Sequence, residues 1–230
     1  MPIVKIVLLL SMMAWNAVGA AEEWRTLFDG KTAAGWLEIT GKPFPDTWTI
    51  EDGCLKTVLK PGGMQDIRTV EVFRDFELEF EWKMKANGNS GVKYLVQKVD
   101  EWTNKDGRQA RARGLEYQLA DENGPDVTDA SRASGSLYSV IAPVPHVVAK
   151  IGEFNRSRIV VNGERVDHWL NGTRVVSFGM GDAGVVKQLR ELRKGDDLVS
   201  EGPISLQHHG TEIWFRAIRV RRITGSALPR

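Results

Sequence analysis

Apolar and polar residues alternate along much of this chain with a period of two. Between Phe76 and Met84 every second residue is apolar, and the positions between them carry Glu or Lys. Because successive side chains of a strand point to opposite faces, this pattern predicts a half-buried antiparallel strand. Further strands are predicted at 46–57, where a turn at 51–53 separates two of them, and at 90–97, 115–120, 203–209 and 212–223.

Turn signals organise the rest of the chain. Two Asn-Gly dipeptides, at 162–163 and 171–172, predict tight hairpins that divide residues 158–178 into three short strands. One helix is predicted after them, because Val185, Val186, Leu189 and Leu192 form one apolar stripe. The polar segment 98–113 is predicted to be a long connection that borders a cleft. Together these elements predict an all-β sandwich of two antiparallel sheets with one short helix.

The first 21 residues differ from the rest in composition. Lys5 is their only charged residue, residues 6–13 form an apolar run, and the small residues Val18-Gly19-Ala20 follow. This composition is typical of a secretory signal peptide, and the run is short for a membrane span. We therefore expect residues 1–21 to be removed, which leaves 22–230 as one periplasmic or secreted domain.

Composition indicates which classes of binding partner to expect. The 230 residues carry a formal net charge of +1, so neither nucleic acid nor a membrane surface is an expected partner. The arginines at 216, 219, 221 and 222 are interpreted as the solvated face of an edge strand. Cys54 is the only cysteine, which excludes an internal disulfide and predicts a buried, inert thiol. The eight Trp residues could fill the core or stack on sugar rings.

Two short motifs suggest other functions and are set aside. Residues 179–184 match the Gly-x-Gly-x-x-Gly fingerprint of dinucleotide sites. That site needs a parallel βαβ unit, whereas the preceding hairpins make antiparallel sheet, so we interpret the motif as a glycine-rich loop. The acidic loop 121–126 lacks the ligand spacing of an EF-hand and is interpreted as a solvated turn.

Polar side chains on predicted strands mark the candidate site. Glu116 and Gln118 share one strand face, which suggests a lined cleft rather than a packed surface. Gln207 and His209 also share a face, and imidazole can exchange protons near neutral pH. Glu116 is the candidate carboxylate, although a surface ion pair would explain it as well. His168 lies among apolar neighbours, so it is either a structural residue or a substrate-binding one.

The order of several short motifs resembles the 3-keto-disaccharide hydrolase domain family. The motifs lie at 24–31, 35–36, 48–53, 75–78, 88–91, 116–118, 168–172, 206–210 and 214–216. The resemblance spans residues 24–223 and implies a concanavalin A-like jelly-roll fold. It also implies an enzyme that acts on a small carbohydrate substrate already oxidised to a ketone at C3.

That substrate implies an elimination mechanism. The ketone acidifies the C2 hydrogen, so a base can remove it, and the enolate then expels the aglycone from C1 before water adds. Such a reaction needs a base, a donor or cation at the enolate oxygen, and polar groups that fix the ring. The alternative function is a non-catalytic carbohydrate-binding module on the same fold.

The resemblance also assigns residues to the site. It implies a cleft lined by Glu116, Gln118, Gln207 and His209, with Asn89 and Ser90 at its rim, Lys93 as an enolate-side cation and His168 as a further substrate-binding residue. Either Glu116 or His209 is the base. Alternatively, a divalent metal ion bound by both residues polarises the ketone. His208 stands where the family usually has an acidic residue, which leaves the role of that position open.

Overall fold

A computed structural model describes residues 22–193 and 195–224 of the chain. The predicted signal peptide, residues 1–21, lies outside the described residues. Within the described ranges the chain forms fourteen strands, one α-helix and a 3-10 turn at Ala130–Arg132. The strands are β1 (Arg25–Thr26), β2 (Trp36–Glu38), β3 (Trp48–Glu51), β4 (Cys54–Thr57), β5 (Gly62–Gln65), β6 (Ile67–Thr69), β7 (Phe76–Met84), β8 (Asn89–Asn104), β9 (Gly107–Ala120), β10 (Asn155–Asn162), β11 (Arg165–Leu170), β12 (Thr173–Gly179), β13 (Ser205–Leu206) and β14 (Ile213–Arg222), and the helix is α1 (Ala183–Leu192).

The strands form two sheets that enclose one main hydrophobic core. One sheet has the order β12-β11-β10-β7-β14-β4-β3, with β1 added beside β14, and the other has the order β2-β6-β13-β8-β9-β5. The first is called the eight-stranded sheet and the second the six-stranded sheet. This arrangement confirms the predicted all-β sandwich. One pair, β5 with β9, is parallel, so the prediction of two purely antiparallel sheets needs that correction.

Strand β7 shows why the sandwich forms. Its five apolar residues between Phe76 and Met84 are buried in the core, as the alternation predicts. Burying a large apolar side chain contributes roughly 1.5 to 3 kcal/mol, so this strand alone supplies a substantial part of the core. Its indole donor is also satisfied, because Trp82 Nε1 donates to Ser157 Oγ at 2.9 Å.

The predicted hairpins and helix are confirmed. Strands β10, β11 and β12 follow one another through tight turns and pair antiparallel. Asn171 and Gly172 both adopt positive φ values, 48° and 86°, which the tight turn requires. The helix α1 follows β12 and buries Leu189 against the core. Because β12 pairs antiparallel with β11, the glycine-rich loop at 179–184 does not belong to a parallel βαβ unit.

Residues 98–113 are not an irregular connection, which corrects the sequence prediction. They belong to β8 and β9, which form one long hairpin that turns at 105–106. A register shift between Tyr94 and Lys98, with Leu95 at φ 49°, divides this hairpin into two parts. The strands escaped prediction because much of the distal part of β8 is exposed on both faces, which removes the apolar alternation.

Strand β14 lies between β7 and β4 and is not the edge strand expected from its arginines. The arginines face glutamates of β7 in the pairs Arg216–Glu81, Arg219–Glu79 and Arg221–Glu77. Strand β13 contains only two residues, so Gln207, His208 and His209 follow that strand instead of forming part of it.

The structure also bears on two further features, the state of the Cys54 thiol and the presence of a membrane-spanning helix. Cys54 is buried, and burial raises the pKa of its thiol, in agreement with the predicted inert state. No helix in the described part of the chain has the length and apolar character needed to cross a membrane.

Candidate functional site

Four charged side chains meet on the outer face of the six-stranded sheet. Lys93 of β8 lies opposite Glu116 of β9 in the strand register, and both point away from the core because their neighbours Tyr94 and Tyr117 point into it. Asp66, between β5 and β6, and Arg111 of β9 complete the group. These four residues, Asp66, Lys93, Arg111 and Glu116, are called the charge cluster.

Lys93 lies between the two carboxylates of the cluster. Its Nζ is 3.6 Å from Asp66 Oδ2 and 3.7 Å from Glu116 Oε2, and it donates to the carbonyl of Ala112 at 3.0 Å. The side chain is only 7% exposed. A buried ammonium needs such compensation, because desolvation of an unpaired charge is costly. Its contact with Glu116 is nevertheless longer than an ordinary charged hydrogen bond.

Asp66 ties the cluster to the segment that carries the histidines. It is fully buried, and its Oδ2 accepts from the Ala112 N–H at 2.9 Å. Its Oδ1 accepts from the His208 N–H at 3.1 Å and from Arg111 Nη1 at 3.3 Å. One carboxylate therefore fixes β9 and residues 207–210 relative to each other.

The surroundings of Glu116 raise the pKa of its carboxyl group. Burial raises its pKa, the charges of Lys93 and Arg111 oppose the rise, and the charge of Asp66 adds to it, so the net pKa is above the ordinary value. The carboxylate lies over Gly91, where an added Cβ would come within 2.4 Å of Glu116 Oε1. A glycine at that position therefore gives the side chain its place on the sheet.

His209 adjoins the same cluster. Its side chain is 40% exposed, and its Nδ1 is 4.0 Å from Asp126 Oδ2. Desolvation lowers the pKa of His209, the charges of Arg111 and Lys93 lower it further, and Asp126 opposes them. The lowered pKa favours the neutral imidazole. Asp66 of the cluster accepts from the N–H of His208, the residue before His209, and this contact brings His209 beside the cluster.

His208 is a structural residue. Its Nδ1 accepts from the Gly210 N–H at 3.1 Å, and its Nε2 donates to the Val58 carbonyl at 3.2 Å. The ring packs edge-on against Trp48 with centroids 6.0 Å apart. Burial lowers its pKa to about 4, so it is neutral wherever the protein is folded near pH 7. The position that the resemblance left open thus holds the neighbouring segment in place.

Amide side chains extend the polar surface beside the cluster. Gln118 Nε2 donates to Asn89 Oδ1 at 3.1 Å, and Asn89 Nδ2 donates to Asp126 Oδ2 at 2.7 Å. The carbonyl oxygens Oε1 of Gln118 and Gln207 are buried and have no hydrogen-bond partner among the described residues. Buried acceptors of this kind usually have partners, so they are suited to receive donors from a ligand.

Ser90 and His168 do not reach this face, which corrects their assignment as substrate-binding residues. Ser90 points to the core, because it alternates with Asn89 along β8, and its Oγ donates to the Gln207 carbonyl at 2.7 Å. His168 is fully buried in the core, where its Nδ1 donates to the Gly135 carbonyl at 3.0 Å and its Nε2 lies 2.8 Å from the Tyr94 hydroxyl. Burial lowers the pKa of His168 to about 4.

Comparison with known proteins shows the family. The sequence profile of the 3-keto-alpha-glucoside-1,2-lyase-like domain matches residues 23–221. The chain belongs to this family. A 3-keto-disaccharide hydrolase of Bacteroides thetaiotaomicron is 35% identical over 229 residues, which cover 87% of this chain and 79% of that protein. Membership in the lyase-like family places the chain among carbohydrate-active proteins of the glycoside hydrolase type.

Solved structures agree with the fold of this family member. A candidate glycosyl hydrolase from Parabacteroides distasonis superimposes with a TM-score of 0.72 at 28% identity, covering 87% of this chain and 94% of that one. A Bacillus subtilis protein with a galectin-like fold superimposes with a TM-score of 0.54 at 10% identity, covering 90% and 97%. The second likeness concerns the fold alone, and it confirms the jelly-roll sandwich.

The surroundings of Glu116 and His209 do not fit the divalent metal ion that the sequence analysis allowed between them. In residues 22–193 and 195–224, no group of three or more His, Cys, Asp or Glu side chains could hold one. Glu116 has Lys93 and Arg111 as its cationic neighbours, and His209 has its nearest acid in Asp126. A metal ion beside Glu116 would meet two positive charges, which oppose its binding there.

Sequence reasoning missed Asp66 and Arg111. Arg111 Nη1 binds Asp66, whereas Nη2 makes only a long contact, 3.9 Å, with Met64 Sδ among the described residues. Part of the guanidinium can therefore donate to a ligand. A usable signal was present, because Ala110 and Ala112 alternate with charged or amide residues as in a strand. Asp66 had no local signal, since its partners come from distant parts of the chain.

Proposed function

We propose that this protein cleaves the glycosidic bond of 3-keto-glycosides by elimination followed by hydration at the charge cluster. The observation that carries the proposal is the position of Glu116, a carboxylate that is 15% exposed and has a raised pKa, beside Lys93 and Arg111. A base next to cations suits removal of a proton α to a ketone, because the charge moves from the base to the enolate oxygen. Family membership and the named relative support the same substrate class.

In the first step Glu116 accepts the proton from C2. The electrons of the C2–H bond move to the C3 carbonyl, whose oxygen becomes an enolate stabilised by the free donors of Arg111 and by the charge of Lys93. The enolate then collapses, the C1–O bond breaks, and the aglycone leaves as an alcohol after taking one proton from water. The product on the sugar is an enone with a C1=C2 double bond.

In the second step water adds to C1. Neutral His209 accepts one proton from the attacking water. The carboxylic acid of Glu116 exchanges its proton with water after the aglycone leaves, and it then delivers a proton to C2. His209 then releases its proton to solvent, which balances the proton that the aglycone took. Asp126, near His209, stabilises the transient imidazolium. The sum of both steps consumes one water and yields a 3-keto sugar and an alcohol.

The unpartnered amide oxygens suit the rest of the sugar. Gln118 and Gln207 each present a buried carbonyl oxygen next to the cluster, and sugar hydroxyls are donors that would satisfy them. A ligand that lacks these hydroxyls would leave the oxygens unpaired, which is a strong basis for discrimination.

The direct test uses 4-nitrophenyl 3-keto-glucoside and, as a control, the same glucoside with an unoxidised C3. We expect release of nitrophenol from the ketone only, because the unoxidised sugar has no acidic C2 hydrogen. Binding of the ketone without release would favour the alternative, a carbohydrate-binding module. Equal release from both glucosides would contradict elimination.

We also propose that the protein acts outside the cytoplasm, in the periplasm or after secretion. The support is the signal-peptide composition of residues 1–21. Mass spectrometry of the protein expressed with its first 21 residues tests this. A mature chain that begins near residue 21 or 22 is expected, and an intact Met1 in the cytoplasmic fraction would contradict it.

A further inference from the structure

Trp102 of β8 differs from the other tryptophans that the structure describes. The other six have a partner for the indole N–H or for the ring. Three donate a hydrogen bond and three lie against a cationic side chain, the first group being Trp36, Trp48 and Trp82 and the second Trp24, Trp169 and Trp214. Trp102 is 45% exposed and makes no hydrogen bond, ring contact or cation–π contact among the described residues. A large aromatic surface is therefore free to meet a ligand.

The strand register places Trp102 on the face that carries Arg111. Trp102 lies opposite Gln109 of β9, and Gln109 also lies opposite Met64 of β5. Side chains paired in this way point to the same face, and Arg111 shares that face because it is two residues after Gln109. Two contacts agree, since Met64 Sδ is 3.9 Å from Arg111 Nη2, and Gln109 Nε2 is 3.4 Å from Oδ1 of Asn104, two residues after Trp102. Diagonal neighbours such as Trp102 and Arg111 are roughly 7 to 8 Å apart, so the indole lies about one sugar ring from the charge cluster.

The hairpin that carries Trp102 has a fixed position beside β5. An added Cβ on Gly63 would come within 1.8 Å of the Arg108 carbonyl oxygen, and one on Gly107 within 2.4 Å of the Gly62 carbonyl carbon, so this close approach requires glycine. Gln65 Nε2 also donates to the Arg108 carbonyl, at 2.6 Å. An aromatic ring on a hairpin fixed in this way loses little freedom when a ligand binds, which favours affinity.

A cavity of about 310 Å³ lies between this hairpin and the segment that follows β13. Met64 and Asp106, which is in the hairpin turn, line one side, and His208 and Gly210 line the other. Met64 reaches across, because an added Cβ on Gly210 would come within 3.0 Å of its sulfur. Charged side chains, Lys60 and Asp106, stand beside the apolar ones. Such a mixed lining suits a sugar ring, whose hydroxyls bind polar groups while its C–H groups contact apolar ones.

We infer that Trp102 is the platform on which the leaving-group sugar of a 3-keto-disaccharide stacks. The inference rests on the proposed function, in which C1 of the oxidised ring lies near His209. From there the second ring extends past Met64 toward the hairpin, and its C–H face covers the indole. Those C–H groups gain by leaving water against an aromatic ring, while the hydroxyls at the edge of the sugar stay within reach of polar groups. Trp102 thus sets specificity for the leaving group and has no part in the proton transfers.

The test compares 3-keto-maltose, oxidised in its non-reducing ring, with methyl 3-keto-α-glucoside, which lacks the second sugar. We measure kcat/KM for both in the wild type, Trp102→Ala, Trp102→Phe and Trp214→Ala. Trp214 is the matched control, because it belongs to the eight-stranded sheet and contacts Lys56 and Lys83. Trp102→Ala should lower kcat/KM for 3-keto-maltose at least about tenfold, because the stacked area is lost, and should change that for the methyl compound less than about twofold.

Trp102→Phe keeps an aromatic ring and should retain most of the activity on 3-keto-maltose, whereas Trp214→Ala should leave the ratio of the two kcat/KM values unchanged. The wild-type ratio in Trp102→Ala would overturn the inference. A wild type that cleaves neither compound would contradict the proposed function, and binding then decides the inference separately. Calorimetry on Glu116→Gln, with and without Trp102→Ala, gives that measurement. The second substitution should weaken binding of 3-keto-maltose at least about tenfold, and an unchanged Kd would overturn the platform.

Discussion

The outer faces of the two sheets both carry glutamates that are largely shielded from solvent, but the charged neighbours of these glutamates differ. On the eight-stranded sheet, burial raises the pKa of Glu79, and the hydrogen bonds from Arg219 and Arg156 outweigh it, so the net pKa is lowered. Those bonds are short, 2.5 Å and 2.7 Å. On the six-stranded sheet, the nearest cation to Glu116 is Lys93 at 3.7 Å, and burial prevails.

This difference separates a structural carboxylate from a reactive one. Glu79 has two arginines that neutralise it, so it has no tendency to accept a proton near neutral pH. Glu116 shares a single ammonium with Asp66, and it remains a base that lacks full compensation. Cavity size alone would place the active site on the wrong face, because two cavities of about 410 Å³ lie beside Glu79 on the eight-stranded sheet. Perturbed pKa values mark functional sites better when the charge partners are examined too.

The largest expected effect concerns the two glutamates themselves. Glu116→Gln removes the base at nearly constant shape, and general-base catalysis typically contributes 10²- to 10⁴-fold. We expect kcat on a 3-keto-glucoside to fall at least about 100-fold. Glu79→Gln, the matched variant on the other sheet, should stay within about threefold of the wild type at temperatures well below unfolding, since a pair distant from the substrate adds nothing to kcat. Equal losses in both variants would abolish the distinction between the faces.

The second effect separates two partly exposed histidines. His209→Ala removes the group proposed to accept the proton from water, and turnover should fall by well over tenfold, the lower range for proton-transfer groups. His146 is also exposed, and its Nε2 lies 2.8 Å from Glu122 Oε2, a partner outside the charge cluster. His146→Ala should leave kcat/KM unchanged. Unchanged kcat/KM in His209→Ala would remove this residue from the mechanism.

The smallest expected effect is on stability, where the two faces should respond with opposite signs. The folded pKa of Glu116 is raised, so its stabilising contribution is present below its unfolded pKa and is lost as the pH rises through the folded value. The folded pKa of Glu79 is lowered, so its contribution is present above its unfolded pKa and is lost as the pH falls through the folded value.

Thermal unfolding at pH 7 measures this contrast. Glu116→Gln removes a poorly compensated charge and should raise Tm by about 2 °C, whereas Glu79→Gln breaks a double ion pair and should lower Tm by about 4 °C, from changes of roughly 1 to 2 kcal/mol. A fall of Tm in both variants would show that Glu116 is a structural residue as well.

The sequence predicts the parts of the fold that depend on local pattern. The alternation in β7 and the Asn-Gly turns specify strands and hairpins without reference to the rest of the chain. The position of β14 inside the sheet could not be derived, because it depends on pairing with β7, more than a hundred residues away. The distal part of β8 was missed because solvent contacts both of its faces, whereas the distal part of β9 carried an alternation at Ala110 and Ala112 that was not used.

The candidate site shows the same division between features that follow from local sequence pattern and features that depend on distant contacts. Strand alternation places Lys93, Glu116 and Gln118 on one face, as the sequence analysis expected for the last two. The same alternation places Ser90 in the core, because Ser90 is the neighbour of Asn89 along β8. Asp66 and Arg111 depend on contacts between strands that are distant in sequence, and no local pattern reveals such contacts.

The central claim is that Glu116 removes the C2 proton, and the fate of a C2 label tests it most directly. A 3-keto-glucoside with deuterium at C2 is converted in H₂O, and the sugar product is analysed by NMR at early times, against unreacted substrate and free 3-keto-glucose kept in the same buffer. The account predicts that the released sugar carries protium at C2 and that Glu116→Gln neither exchanges the label nor releases the alcohol. Release of the alcohol with deuterium fully retained at C2 would contradict the account.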